Sequence, residues 1–193
     1  QMQLYDAYAT RMKEMLSQQN EKEFHKGRMQ ILSELTKLRQ LCCDPALVYE
    51  NYEGGSAKLD LCIELIQSAV ESGHKILLFS QFTSMIEILT ARLQEESISY
   101  FVLQGSTKKE QRAQMVEQFN RDDTSVFCIS LKAGGTGLNL TGADIVIHYD
   151  PWWNVAVENQ ATDRAHRIGQ KNVVTVYKLL SLIHISEPTR PRL

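Results

Sequence analysis

A strong charge of either sign is missing from this sequence: its 193 residues sum to a net charge of −2. Bulk electrostatics therefore announce no nucleic-acid or membrane partner, and any phosphate-binding surface has to be local. Zinc-type cysteine spacing is missing too. The four cysteines, Cys42, Cys43, Cys62 and Cys128, form no CxxC pair and no Cys/His pattern, which excludes the usual zinc frameworks and reads as buried thiols in a reducing compartment. No apolar run approaches the roughly 18 residues of a membrane span, and no signal peptide is visible. The chain opens at Gln1, not methionine, and reads as a fragment. What is present is ordinary for a globular protein: 43% hydrophobic and 23% charged residues, enough to bury a core.

Residues 4–41 are rich in Lys, Glu, Gln, Met and Leu, all good helix formers. Ile31, Leu32, Leu35, Leu38 and Leu41 recur at helical spacing, which predicts a packing helix that Pro45 ends. Asn51, Gly54, Gly55 and Ser56 read as a linker. Beyond it the pattern alternates. Leu59, Ile63, Ile66 and Val70 mark a helix with Gly73 at its end. Strands are expected at 75–80 (KILLFS), 99–103, 125–130 (SVFCIS), 144–149 (DIVIHY) and 173–180. Between them, helices are expected through Ile86, Leu89 and Leu93, from a Thr107/Glu110 capping box through Met115 and Phe119, and from an Asn154 cap to about Arg167. Such alternation predicts an α/β fold, a parallel sheet flanked by helices. Residues 182–193 (LIHISEPTRPRL) break this logic and read as a non-native tail. The expected organisation is a helical segment over 1–50, a linker over 51–58, an α/β domain over 59–181, and that tail.

Two segments carry chemistry. Gln160, Arg164 and Arg167 are spaced i, i+4, i+7, so a helix would place them on one face. Arginine is always charged and its planar fork matches phosphate oxygens. Two arginines alone read as a solvated face; their setting changes that. Before them lies SLKAGGTGLNLTGAD, 130–144, a glycine-rich stretch following a strand. Glycines there let the backbone approach a ligand and offer N–H groups to phosphate. Leu140 stands where a dinucleotide fingerprint needs its third glycine, so GxGxxG fails. His148 and His166 lack a third nearby partner and read as structural; no metal site is expected.

In order, KILLFSQF, LQGST, SLKAGGTGLNLTGAD, HYDPWWN and QATDRAHRIGQ resemble motifs IV to VI of Swi/Snf-type ATPases, members of helicase superfamily two. The resemblance covers residues 4–181, and the opening segment resembles the helical end of the family's first lobe. It implies a C-terminal RecA-like lobe that faces a first lobe of the same parent chain, with ATP between them. Arg164 and Arg167 match the motif VI arginines that stabilise charge on the γ-phosphate. Gln160 matches a residue orienting that cluster or the nucleotide. Gly135, Gly137 and Asn139 match the nucleotide-facing part of motif V, with Asn139 a candidate for the ribose, and Asp163 is expected to hold an arginine. Ser80, Gln81, Gly105, Ser106, Ser130, Lys132 and Trp153 would meet the backbone of double-stranded DNA, while Trp152 reads as packing.

The family also implies Mg²⁺, with ligands supplied by the first lobe. This sequence contains no GxxxxGK[ST] and no DExH-like pair, so the chain alone is expected to hydrolyse ATP negligibly. Val155 replaces a proline common after WWN in this family. Nucleosomes or RNA polymerase are possible partners by resemblance, in a bacterial cytoplasm or a eukaryotic nucleus. A strand-separating helicase and a non-catalytic phosphate-binding module remain alternatives. Burial of the two guanidinium side chains in the lobe's own interior, or their facing away from the glycine turn, would collapse the motor assignment.

Overall fold

The computed structural model describes residues 1–17, 21–133, 137–151, 154–167, 169, 170 and 172–180. The chain divides into two compact units, Gln1–Lys58 and Leu59–Leu180. In the first, helix α1 (Met2–Ser17) pairs with α2 (Glu21–Cys43), and Met12, Leu38 and Leu41 are buried. Where Pro45 was expected to end the helical run, α2 stops at Cys43. The Asp44 carboxylate then caps a 3-10 turn (Pro45–Leu47) by accepting from the Ala46 N–H at 2.8 Å. Helix α3 (Ala57–Glu71) opens the second unit and buries Leu59, Cys62, Ile63 and Ile66. It ends as expected at Gly73. There φ is +79°, the Gly73 N–H donates to Val70 O and the His74 N–H to Ala69 O, a Schellman closure.

Five parallel strands follow: β1 (Ile76–Ser80), β2 (Tyr100–Leu103), β3 (Val126–Ser130), β4 (Ile145–His148) and β5 (Thr175–Lys178), in the order β2-β3-β1-β4-β5. β1, β3 and β4 are buried along their whole length, which is why they read as continuous apolar runs. Helices α4 (Thr83–Glu95), α5 (Lys109–Arg121) and α6 (Val155–Thr162) lie between them in sequence. The apolar core gathers Leu77, Phe79, Phe119, Phe127, Leu140 and Val146 among others. This is the α/β architecture expected of a RecA-like helicase lobe, preceded by helices. All four cysteines are buried, and none is in a disulfide.

Two expectations about helix ends are corrected. Thr107 does not cap α5; Lys108 occupies that position without a side-chain cap bond. The Thr107 hydroxyl is already used, accepting from the Gln104 N–H at 3.1 Å to close the preceding turn. Helix α6 stops at Thr162, well short of Arg167. Beyond it, tertiary donors claim the carbonyls: Leu140 N–H bonds Arg164 O at 3.0 Å, and Gln170 Nε2 bonds Ala165 O at 3.2 Å. Gly169, at φ +108°, lies beyond this turn.

Candidate nucleotide and DNA site

Because all five strands run the same way, the segments that follow them emerge at one edge of the sheet. Parallel register puts Ser80 beside Ser130, so the segments starting at Gln81 and Leu131 begin side by side, and the Leu131 N–H donates to Ser80 O at 2.9 Å. The Gln81 N–H donates to the Asp150 carboxylate at 3.1 and 3.3 Å, tying the segment after β1 to the one after β4. Gly105, Ser106 and Lys132 are exposed on these loops.

The serines are different. Ser80 and Ser130 are 0% and 1% exposed, so their hydroxyls do not form the surface contacts expected of them. They sit inside a sheet buried on both faces, and the Ser80 hydroxyl accepts from the Phe82 N–H at 3.2 Å. Gln81 is half-buried, and its Nε2 has no hydrogen-bond partner among the described residues. Gly135 and Trp153, along with Trp152 and residues 182–193, lie outside the described residues.

The early end of α6 rearranges the arginine cluster. Gln160, Arg164 and Arg167 do not share a helical face. Gln160 and Arg167 are exposed, whereas Arg164 is 2% exposed. Arg167 turns back to the glycine segment: its Nη1 reaches Gly137 O at 3.5 Å and its Nε bonds Asp163 O at 3.2 Å. Asp163 thus holds this arginine with its main-chain carbonyl. Gly137 is at φ +33°, a conformation that favours glycine. Arg164 is withdrawn from water, and its Nε and Nη1 have no hydrogen-bond partner among the described residues. Burial, and then the nearby Arg167 charge, push its guanidinium below the ordinary arginine pKa.

The helicase conserved C-terminal domain family matches residues 57–169. An uncharacterized ATP-dependent helicase of Mycoplasma pneumoniae is 45% identical over 84% of this chain, and the chromatin-remodeling ATPase INO80 of Emericella nidulans is 46% identical over 72%. Among solved structures, the Sulfolobus solfataricus SWI2/SNF2 ATPase C-terminal domain superposes with a TM-score of 0.74 at 32% identity, covering 94% of this chain and 74% of that one. The core of the SWI2/SNF2 ATPase in complex with dsDNA gives 0.77 at 32% identity, covering 92% of this chain and 37% of that one.

The chain belongs to the helicase C-terminal domain family, in its SWI2/SNF2 branch. It spans only 16% and 8% of the two curated relatives.

Within this helicase C-terminal domain, sequence reading missed two residues that shape the site. Asn120, in α5, donates from Nδ2 to Asn139 O at 2.8 Å and accepts the Gly142 N–H at 2.9 Å, holding both ends of the segment behind the glycines. A Cβ on Gly142 would stand 3.0 Å from the Asn120 Cα, so glycine permits this approach. Asp150 is the other. Its signal was the acidic residue of HYDPWW, easily passed over beside two tryptophans. Asn139 itself is exposed. Among the described residues, no group of three or more His, Cys, Asp or Glu could hold a metal ion.

Proposed function

We propose that this domain supplies the arginine side of an ATPase site and part of a DNA track in a longer motor protein. The observation that carries the reading is the exposed Arg167 guanidinium turned onto the glycine segment. Arg167 is exposed and hydrogen-bonded to Gly137 O, whereas Arg164 is buried with two donors unmatched among the described residues. A buried charge without a partner costs several kcal/mol, on the order of the 3–5 kcal/mol lost when a buried pair is broken. The burial of Arg164 counts against a direct phosphate contact, whereas the exposed Arg167 fork matches a phosphate oxygen and suits ATP.

Its burial removes Arg164 as a freely projecting group, and Arg167 is the arginine that reaches the anion. Gly137, Asn139, Gln160 and Gly135 would line the nucleotide side. ATP supplies the transferable phosphoryl group. This chain's part is to place positive charge where negative charge develops, an effect worth ~10³–10⁵ in rate for arginine fingers. Magnesium ligands and the phosphate cradle would come from a first RecA-like lobe of the parent, and the isolated chain should turn over ATP negligibly. The domain boundaries expected at 50, 58 and 181 stand with this proposal.

Duplex DNA would lie on the loops carrying Gln81, Gly105, Ser106, Lys132 and Trp153. Their amides, hydroxyl and ammonium suit backbone contacts that carry no sequence information. Binding should therefore fall steeply with salt. The naming of relatives as chromatin-remodeling ATPases supports double-stranded DNA translocation on nucleosome-bound DNA. Relatives named helicases keep strand separation as the second reading, which an unwinding assay on the parent decides. The main test replaces Arg164 and Arg167 by alanine, singly, in the parent protein. Duplex-stimulated ATP turnover should fall by about 10³ or more with duplex affinity spared. Intact turnover would leave only a phosphate-binding module.

A further inference from the structure

Arg112, in the first turns of α5, lies outside the five family-like motifs, yet its guanidinium makes four hydrogen bonds to main-chain carbonyls. Its Nε donates to Thr107 O at 2.8 Å. Its Nη2 donates to Gly105 O at 3.0 Å and Gln104 O at 3.2 Å. Its Nη1 reaches across to Ala133 O at 3.4 Å. Three of these carbonyls belong to the turn after β2 and the fourth to the segment after β3, next to Lys132. One side chain therefore ties together the two loops that present Gly105, Ser106 and Lys132.

The consequence follows from peptide geometry. Every peptide bond is trans among the described residues, and a planar trans unit points its C=O and its N–H to opposite sides. With the Gln104 and Gly105 carbonyls turned onto the guanidinium, the N–H groups of Gly105 and Ser106 point away from it. Both residues are exposed, and a Cβ at Gly105 would meet nothing within 4 Å. The turn is fixed from its other side as well, since Thr107 Oγ1 accepts the Gln104 N–H and Gln104 O accepts the Thr107 N–H, both at 3.1 Å. Donors directed outward from an exposed turn suit a phosphate oxygen; outward carbonyls would repel one.

We infer that Arg112 is a positioning residue for DNA: it gathers the carbonyls of both loops inward, so that the Gly105 and Ser106 amides and Lys132 meet adjacent phosphates as one surface. The inference rests on the DNA-contacting role proposed above for those loops. Only arginine suits the position. Its rigid fork carries donors in several directions at once, whereas a lysine ammonium is a single point that cannot span both loops.

The test is a double-mutant cycle on the 193-residue chain. Binding to a fluorescent mixed-sequence duplex is measured for the parent sequence, Arg112→Lys, Lys132→Ala and the double variant. Arg112→Lys keeps the charge and the aliphatic stem, and its melting temperature reports folding. Lys132→Ala should weaken binding by about fivefold in the parent background and by less than about twofold beside Arg112→Lys, because a released loop no longer aims the ammonium. Equal effects in both backgrounds would overturn the inference.

Amide hydrogen exchange supplies a readout independent of DNA. Exchange at the Gln104 and Thr107 amides, whose hydrogen bonds close the turn, should accelerate at least about tenfold in Arg112→Lys, with the β1 and β3 amides unchanged. Unchanged exchange in the loops also overturns the inference. A full-strength Lys132→Ala variant would instead sink the DNA-contacting reading beneath it, and with it the positioning role.

Discussion

Asp144 and Arg164 are both buried charges, 8% and 2% exposed, and their surroundings could hardly differ more. Asp144, just ahead of β4, accepts from His74 Nδ1 at 2.9 Å, Asn172 Nδ2 at 3.1 Å and the Lys75 N–H at 3.3 Å. It braces the start of β1 against the start of β4 and the approach to β5. Arg164, just past α6, has two donors with no acceptor among the described residues. A buried charge that is matched belongs to the stability of a fold; one left unmatched is a cost the fold carries for another purpose. Glu158, 3% exposed and bonded to Lys178 Nζ at 2.6 Å, falls on the matched side.

The contrast breaks if substitutions at the two positions move stability the same way. Asp144→Ala should have the larger effect. It strands the Lys75 N–H and two side-chain donors, and should lower unfolding free energy by about 2–3 kcal/mol in urea titrations, with no change in duplex affinity. Arg164→Met is expected to go the other way. Replacing an unmatched buried charge with an apolar side chain of similar reach should leave the chain equally stable or up to about 2 kcal/mol more stable, while the parent protein loses its ATP turnover. A destabilised Arg164→Met chain would make Arg164 a structural group and end its assignment to the triphosphate.

A smaller effect sharpens the comparison through pH. His148 is 1% exposed, stacks on Phe79 with ring centroids 5.5 Å apart, and bonds Thr162 Oγ1 through Nε2 at 3.1 Å. Burial holds its pKa below the ordinary 6.5, outweighing the pull of Glu158, while Lys178 pushes the same way as burial. The unfolded chain therefore takes up a proton on this ring below about pH 6.5 that the folded chain refuses. Stability from this group is complete above that pH and declines as pH falls towards the depressed value, with a slope of at most about 1.4 kcal/mol per pH unit. His148→Gln should flatten that part of the stability profile. An unaltered slope would mean that other groups set it.

Much of the fold was legible because its signals are local. KILLFS, SVFCIS and DIVIHY announce strands covered on both faces, and all three are fully buried within a residue of the expected ends. Gly73 and Asn154 marked helix termini by chemistry that acts within a few residues, and both act there as expected. The Arg164 expectation failed because helical spacing from Gln160 assumes that the helix continues. Whether it continues depends on donors to the carbonyls beyond Thr162, and Leu140, which takes Arg164 O, is far from it in sequence. Ser80 and Ser130 failed likewise: a serine at a strand end faces inward or outward according to what covers the sheet.

Sequence by itself determined the order of strands and helices, the motifs in their succession, and the family they mark, since each rests on periodicity or on residue types at fixed spacing. Tertiary structure alone decided which groups are matched. It brought Arg112 to two loops, Asn120 to both ends of a third, three donors to Asp144 and, among the described residues, no acceptor to the Nε and Nη1 of Arg164. Hydrogen-bond satisfaction of a buried group depends on atoms from segments far apart along the chain, and only the packed fold brings those atoms together.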